Sequence, residues 1–276
     1  MKKRIIVGII VVAFTAGLSR GQQSFGDIYQ KSIPEAKKID YPFLREAEVI
    51  WSKRYYRLVD LREKANHALY YPTSKTNDGR QNLIGILLEE IKAGKLTGYD
   101  YYDTSVPTTY EDINTKLGAR ERTIQVQIDA FGNTRDSTIM EEPKPEEVKQ
   151  LMLYEEWYFD KKLGKLDVRI IAICPFYMGM DPQTSQPQKI ALFWIKFDEV
   201  RDILATKEVF MSNNDAQRIS YDDLFMQRRF NSMIYGESNV YNDRYISDYT
   251  IGKTSLFEAE RIKTELFNFE HDLWEY

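Results

Sequence analysis

The hydrophobic positions of this chain change period along its length, and those changes divide it into elements. Near the C-terminus, Leu256, Ala259, Ile262, Leu266, Phe269 and Leu273 recur every three or four residues, and Phe257, Phe267 and Trp274 widen the stripe. This spacing predicts an amphipathic helix over 255–274, opened by Ser255 with Glu258 three residues on as a capping box. Residues 82–93 (NLIGILLEEIKA) predict a short helix with Asn82 as cap, Leu83, Ile86, Leu87 and Ile91 inward, and Gly94 as its stop. Another short helix is expected at 108–118, and 123–129 (TIQVQID) alternate as a strand. After an acidic connector with two prolines at 141–147 (EEPKPEE), three strands are expected at 151–162, 166–178 and 189–198, with Gly164 in the first turn. The middle strand runs apolar from Ile170 to Ile173, as a strand covered on both faces would. Helices are predicted at about 199–206, 220–235 and 255–274. Segment 49–72 has spacings that suit both a helix and extended chain, and 22–42 is polar without a sustained period, which reads as an arm or linker. The class that follows is α+β: a small antiparallel β-meander followed by C-terminal helices, with an extended N-terminal arm.

The first 21 residues stand apart. Lys2, Lys3 and Arg4 precede an apolar run from Ile5 to Phe14, and the small residues Ala16, Gly17, Ser19 and Gly21 follow. That is the pattern of a secretory signal peptide, with cleavage expected after Gly21. The run is shorter than the ~18 to 20 residues of a membrane-spanning helix, so no direct membrane insertion is expected. No cysteine lies near the cleavage point to accept a lipid. The expected division is signal peptide at 1–21, arm at 22–42, and one domain at 43–276 with an internal hinge near 141–147.

Charge and composition narrow the partners. Removing Lys2, Lys3, Arg4 and Arg20 from 38 basic residues leaves 34 against 42 acidic ones, so the formal charge moves from -4 to -8. An acidic mature chain argues against nucleic acid and against an anionic lipid surface as the main partner. Cys174 is the only cysteine, so no intramolecular disulfide is possible. The 19 tyrosines exceed what a core of this size needs and are compatible with extended protein contacts.

Candidate chemistry is sparse. His67 and His271 are the only histidines, and neither has a second histidine at i+3 or i+4, so the helical pair of zinc hydrolases is missing. Cys174 sits in an apolar strand before Pro175, which suits inert packing more than an activated thiolate. The carboxylates Glu155 and Glu156, or Asp222 and Asp223, are adjacent, and neighbours along a strand point to opposite faces. No GxSxG, P-loop or GxGxxG motif occurs. Basic residues interleave with aromatics at Lys53, Arg54 and Arg57 and at Arg228 and Arg229; in a secreted acidic protein, pairing with an acidic protein surface is favoured over single-stranded nucleic acid. On the residues alone, the reading is a periplasmic or secreted binding or assembly component rather than an enzyme, with no catalytic, cofactor or metal set.

Several blocks carry a resemblance. They are IWSKRYYRLVDLREKANHALYYP (50–72), YEEWYFDKKLGKLDVRIIAICP (154–175), LFWIKFDEVRDIL (192–204), KEVFMSNNDAQRISYDDLFMQRRFNSMIYGESNVYNDRYI (207–246) and ERIKTELFNFEHDLW (260–274). Together they resemble the GldN/PorN family of Bacteroidetes gliding-motility and type IX secretion proteins. Ala68 departs from the proline expected before LYYP, and 95–150 contributes no block. The resemblance implies a non-enzymatic, soluble subunit of a periplasmic ring beneath the outer membrane. It implies assembly with other copies of itself and with a GldK/PorK-type lipoprotein as membrane tether, and contact with the GldM/PorM-type inner-membrane motor protein. No cofactor is implied. The candidate protein-contact residues are Trp51, Arg54, Tyr55, Tyr56, Arg57, Arg228 and Arg229, with Phe267, Phe269, His271 and Trp274 on the terminal helix. The alternatives are a stand-alone periplasmic ligand-binding protein and a divergent hydrolase.

Overall fold

The computed structural model describes residues 33–76, 79–127, 134–180, 186–210 and 219–273. The predicted signal peptide, the first part of the arm and Trp274 lie outside them. A six-stranded antiparallel sheet organises the described residues. Its strands are β1 (Val49–Asp60), β2 (Val148–Asp160), β3 (Lys165–Met180), β4 (Pro187–Ala191) and β5 (Met233–Glu237), in the order β5-β1-β2-β3-β4, with Ile195–Lys196 also paired to β3. The segment 49–72, compatible with either state on spacing, is strand over its first half because alternation of Trp51, Lys53, Tyr55, Arg57 and Val59 matches the two-residue period of a sheet with two covered faces. The meander β2-β3-β4 follows the first two predicted strands, and Gly164 takes a positive φ of 61° in its first turn; the third, predicted over 189–198, ends at Ala191, with Ile195–Lys196 paired separately to β3 and Phe197 already opening a helix. The strand predicted at 123–129 is observed at Arg120–Gln127, paired with Thr134–Glu141 as a separate hairpin.

One face of the sheet carries Val59, Leu151, Leu153 and Ile173, and these meet helices α1 (Leu83–Lys92), α2 (Tyr110–Lys116), α3 (Phe197–Thr206) and α4 (Tyr221–Met226) in the main core. Asn82 caps α1 as expected, its Oδ1 accepting from Gly85 N at 2.7 Å, and Gly94 follows the helix with φ 72°. Phe193, Phe197, Tyr221 and Phe225 are fully buried here, each contributing roughly 1.5 to 3 kcal/mol of transfer free energy before entropy is counted. At the far end of the same face, Tyr55, Ile234 and Ile246 pack with Ala259, Ile262 and Leu266 of α5 (Lys253–Asp272).

Two expectations are corrected. The helix predicted over 220–235 stops at Met226: Arg228 adopts a left-handed φ of 52°, and Met233–Glu237 becomes the edge strand β5 on β1. Pairing with a strand far away in sequence overrides the local helical spacing. The terminal helix begins at Lys253 with Gly252 as its cap, so Ser255 lies inside its first turn and donates to Gly252 O at 2.6 Å instead of capping. Its buried stripe is also narrower than predicted, because Leu256, Phe257 and Phe267 face solvent.

Candidate contact surfaces

The block Trp51 to Arg57 does not form one surface, because alternation along β1 divides it. Trp51, Tyr55 and Arg57 share the face toward α5, whereas Arg54 and Tyr56 point to the other. The Trp51 ring packs on Phe269 with centroids 4.5 Å apart, and Tyr55 meets Trp157 edge-on at 6.5 Å. Tyr55 is buried and Arg57 nearly so. Arg54 is half-exposed; its Nη1 donates to Tyr154 OH at 3.4 Å and its Nε lies 3.7 Å from Glu156.

Between the main core and the α5 cluster sits a buried ion group. Glu155, fully buried, accepts from Arg228 Nη2 on Oε2 at 3.1 Å, and Arg228 Nη1 lies 3.0 Å from Oε1 as an ion-pair contact without a hydrogen bond. Trp157 Nε1 donates to the same carboxylate at 3.1 Å, and Arg57 Nε approaches it to 4.0 Å while donating to Ser232 Oγ at 2.9 Å. Burial lowers the Arg57 pKa, and Glu155 opposes that shift. The left-handed turn at Arg228 is what aims its guanidinium at Glu155, so the broken helix and the buried acid explain each other. Arg229, by contrast, is exposed.

On α5, Phe269 is half-buried against Trp51, while Phe267 and His271 are exposed. Leu256, Phe257 and Phe267 are 57%, 74% and 64% exposed. At 100° per residue, Leu256 and Phe267 lie about 20° apart around the axis but roughly 16 Å apart along it, with the paired Glu260 and Lys263 between them, and Phe257 faces about 100° away, so the three are separate exposed apolar side chains.

The other sheet face carries a cleft that the sequence reading missed. Tyr56 stacks on Tyr154 at 4.7 Å and receives Tyr245 edge-on at 5.2 Å, while Tyr101 lies parallel to Trp194 at 6.0 Å. Tyr101 and Tyr245 bring their hydroxyls within 3.4 Å, and Lys196 Nζ sits 4.9 Å from the Tyr99 ring. The cleft, open to solvent on one side, has a volume of about 580 Å³. Gly236 makes the arrangement possible: a Cβ there would stand 2.8 Å from Tyr245 Cδ1. Only the number of tyrosines pointed to such a site in the sequence, since its walls come from separate segments spread between Tyr56 and Tyr245.

The arm from Ile33 to Arg45 is held by two arginines. Tyr41 lies between the guanidiniums of Arg201 at 4.4 Å and Arg169 at 4.9 Å, Arg201 Nη2 donates to Ile39 O at 2.6 Å, and Arg169 Nη2 donates to Pro42 O at 2.6 Å. Arg201 is itself fully buried and forks onto Asp222, with Nε to Oδ1 at 2.8 Å and Nη2 to Oδ2 at 3.1 Å.

The residues weighed for catalysis are engaged in packing or local bonds. Cys174 is fully buried beside Met152 and Trp194, and burial pushes its thiol pKa up, opposite to an activated nucleophile. His67 Nε2 is 3.1 Å from Arg62 O in a helical turn. Among the described residues, no three His, Cys, Asp or Glu side chains are grouped to hold a metal, and no helix is long and apolar enough to cross a membrane.

The fold and surfaces together define an α+β scaffold: one antiparallel sheet with a helical core on one face and aromatic and ionic contacts distributed around it. Comparison with protein families places it further. The chain belongs to the family of the gliding motility associated protein GldN, whose sequence model matches residues 44–275, including the stretch 95–150 that carried no quoted resemblance. Membership makes it a component of the gliding-motility and type IX secretion machinery. A comparison with curated proteins returned no match.

Proposed function

We propose that this chain is a non-catalytic structural subunit of a periplasmic ring in that machinery, held to the outer membrane by a GldK/PorK-type lipoprotein and touching the GldM/PorM-type motor component. Repeated contacts between its copies close the ring, and the subunit transmits position and force rather than converting energy. The observation that carries this reading is the family match over 44–275. Supporting it, α5 is docked by its inner face and leaves Leu256, Phe257 and Phe267 exposed, where separate contacts with a neighbour could form. Arg54 and Arg229, exposed on other parts of the surface, supply charge for acidic partners.

Size analysis of gently solubilised envelopes tests the assembly: the chain is expected in a very large complex with the lipoprotein, whereas a stand-alone ligand binder runs as a monomer. Arg54→Glu tests one contact. It leaves the monomer folded and reduces co-purification with the lipoprotein; undiminished co-purification removes Arg54 from the interface.

A further inference from the structure

The polar groups of the tyrosine cleft are almost all hydroxyls. Among the described residues, six tyrosines and Thr104 line it together with Trp194, and the one charged side chain in the lining is Lys196. Burial raises the pKa of Tyr56, Tyr101 and Tyr245, so their hydroxyls keep their protons and can both donate and accept. Where the Tyr101 and Tyr245 hydroxyls meet at 3.4 Å, one proton joins them and the other is left over, with lone pairs remaining on both oxygens. Beside the lining, the Glu199 carboxylate lies 3.3 Å from Lys196 Nζ and adds an acceptor next to the cleft.

Ring geometry narrows the occupant. Sandwiching a flat base between two parallel rings needs them about 7 Å apart, twice a ~3.5 Å carbon contact. Both near-parallel pairs are too close for that, with Tyr56 and Tyr154 at 4.7 Å and Tyr101 and Trp194 at 6.0 Å. A quaternary ammonium is disfavoured as well, because the Lys196 ammonium already stands 4.9 Å from the Tyr99 ring centre and repels a second cation. What remains are outward ring faces edged by hydroxyls. A pyranose with equatorial hydroxyls matches both, since its axial C–H groups give two apolar faces that pack on aromatic rings, while its hydroxyls donate and accept around the edge. At about 580 Å³ the cleft is within the ~300 to 1,000 Å³ of ligand sites and has room for a short chain of such rings.

We propose that this cleft binds a short β-linked oligosaccharide of glucose or N-acetylglucosamine, with a sugar ring on the exposed face of Tyr102 and hydroxyls on Tyr101 and Tyr245. The β-linkage is equatorial, so successive rings keep their C–H faces available for stacking. The site is on the sheet face opposite α5, so it holds or fails separately from the ring assignment.

Isothermal titration of the full chain with chitotetraose and cellotetraose, and with AMP, choline and decaproline as controls, tests the proposal. Saturable binding of at least one of the two glycans is expected, and none of the controls. Tyr102 is 93% exposed, so Tyr102→Ser spares the core, and loss of that ring weakens the glycan about fivefold. Tyr245→Phe keeps the ring and deletes one hydroxyl, and it weakens the glycan at an unchanged Tm. Absence of glycan binding, binding of any control as tight as that of the glycans, or full affinity in Tyr102→Ser overturns the proposal.

Discussion

The buried pair Arg201–Asp222 allows a prediction with a worked magnitude. Both side chains are withdrawn from water, with side-chain exposures of 0% and 5%, and the guanidinium meets the carboxylate in a fork at 2.8 and 3.1 Å. Asp222→Asn keeps the shape but removes the charge and turns an N–H₂ toward a group that has only donors. The guanidinium would then retain two neutral acceptors, the new amide oxygen at position 222 and Ile39 O, and the face of Tyr41, while its Nη1 already has no hydrogen-bond partner. Breaking one side of a buried ion pair costs about 3 to 5 kcal/mol, against about 0.2 to 1 for an exposed pair such as Lys38–Asp202. Urea unfolding of the variant is expected to show that larger loss, with Tm lowered on the order of 10 °C. The double variant Arg201→Met/Asp222→Leu removes both charges and is expected to recover most of it, apart from the bond to Ile39. A loss below about 1 kcal/mol in Asp222→Asn, or a double variant worse than either single one, would refute the reasoning.

Other outcomes follow from single contacts. Trp51→Ala removes the ring under Phe269 and costs about 1 kcal/mol for the pair itself; hydrogen exchange in α5 is expected to quicken about fivefold while the main core is unchanged. Gly236→Val drives a Cβ toward Tyr245, and displacement of that ring is expected to cost about 1 to 3 kcal/mol, read as a lower Tm. Glu258 is held below its ordinary pKa of 4.5, chiefly by the hydrogen bond from Arg261 and also by Tyr249, so its contribution is complete above the unfolded value and is lost as pH falls through the folded one. Acid titration followed by NMR is expected to loosen the first turns of α5 below about pH 4.5, an effect that Arg261→Gln abolishes.

Elements governed by near neighbours were legible in the sequence, and those made by distant pairing were not. Asn82, the apolar spacing after it and Gly94 lie within thirteen residues and specify α1 without outside help. The segment MIYGE reads as the end of a helix until β1 supplies a partner, with Tyr56 opposite Gly236 and Arg57 opposite Ile234. Ser255 and Glu258 have the spacing of a capping box, but Gly252 turns the chain three residues earlier and Glu258 is taken by Arg261 and Tyr249. The aromatic and basic residues at 51–57 stand out in the sequence, but only the strand state of β1 decides which of these side chains share a face. The cleft was out of reach altogether, because Tyr56, Tyr101, Tyr154 and Tyr245 converge only after the sheet has formed.

The division of β1 between two faces also bears on how a ring subunit is built. Trp51 and Tyr55 tie the sheet to α5, and α5 leaves Leu256, Phe257 and Phe267 exposed. Under the ring reading, a load applied to α5 passes through Ile262, Leu266 and Phe269 into the sheet, where the Glu155–Arg228–Arg57 group lies between the α5 end of the face and the helical core. Apolar contacts alone would let the two clusters slide, since they are non-directional; a buried carboxylate hydrogen-bonded by the Arg228 guanidinium and the Trp157 indole N–H resists displacement in direction as well as distance. Under the ring reading, Glu155→Gln thus differs from Phe267→Glu in kind. The first loosens the subunit internally and lowers its Tm, whereas the second leaves Tm unchanged and weakens assembly, and parallel measurement of both properties separates the connecting element from the surface it supports.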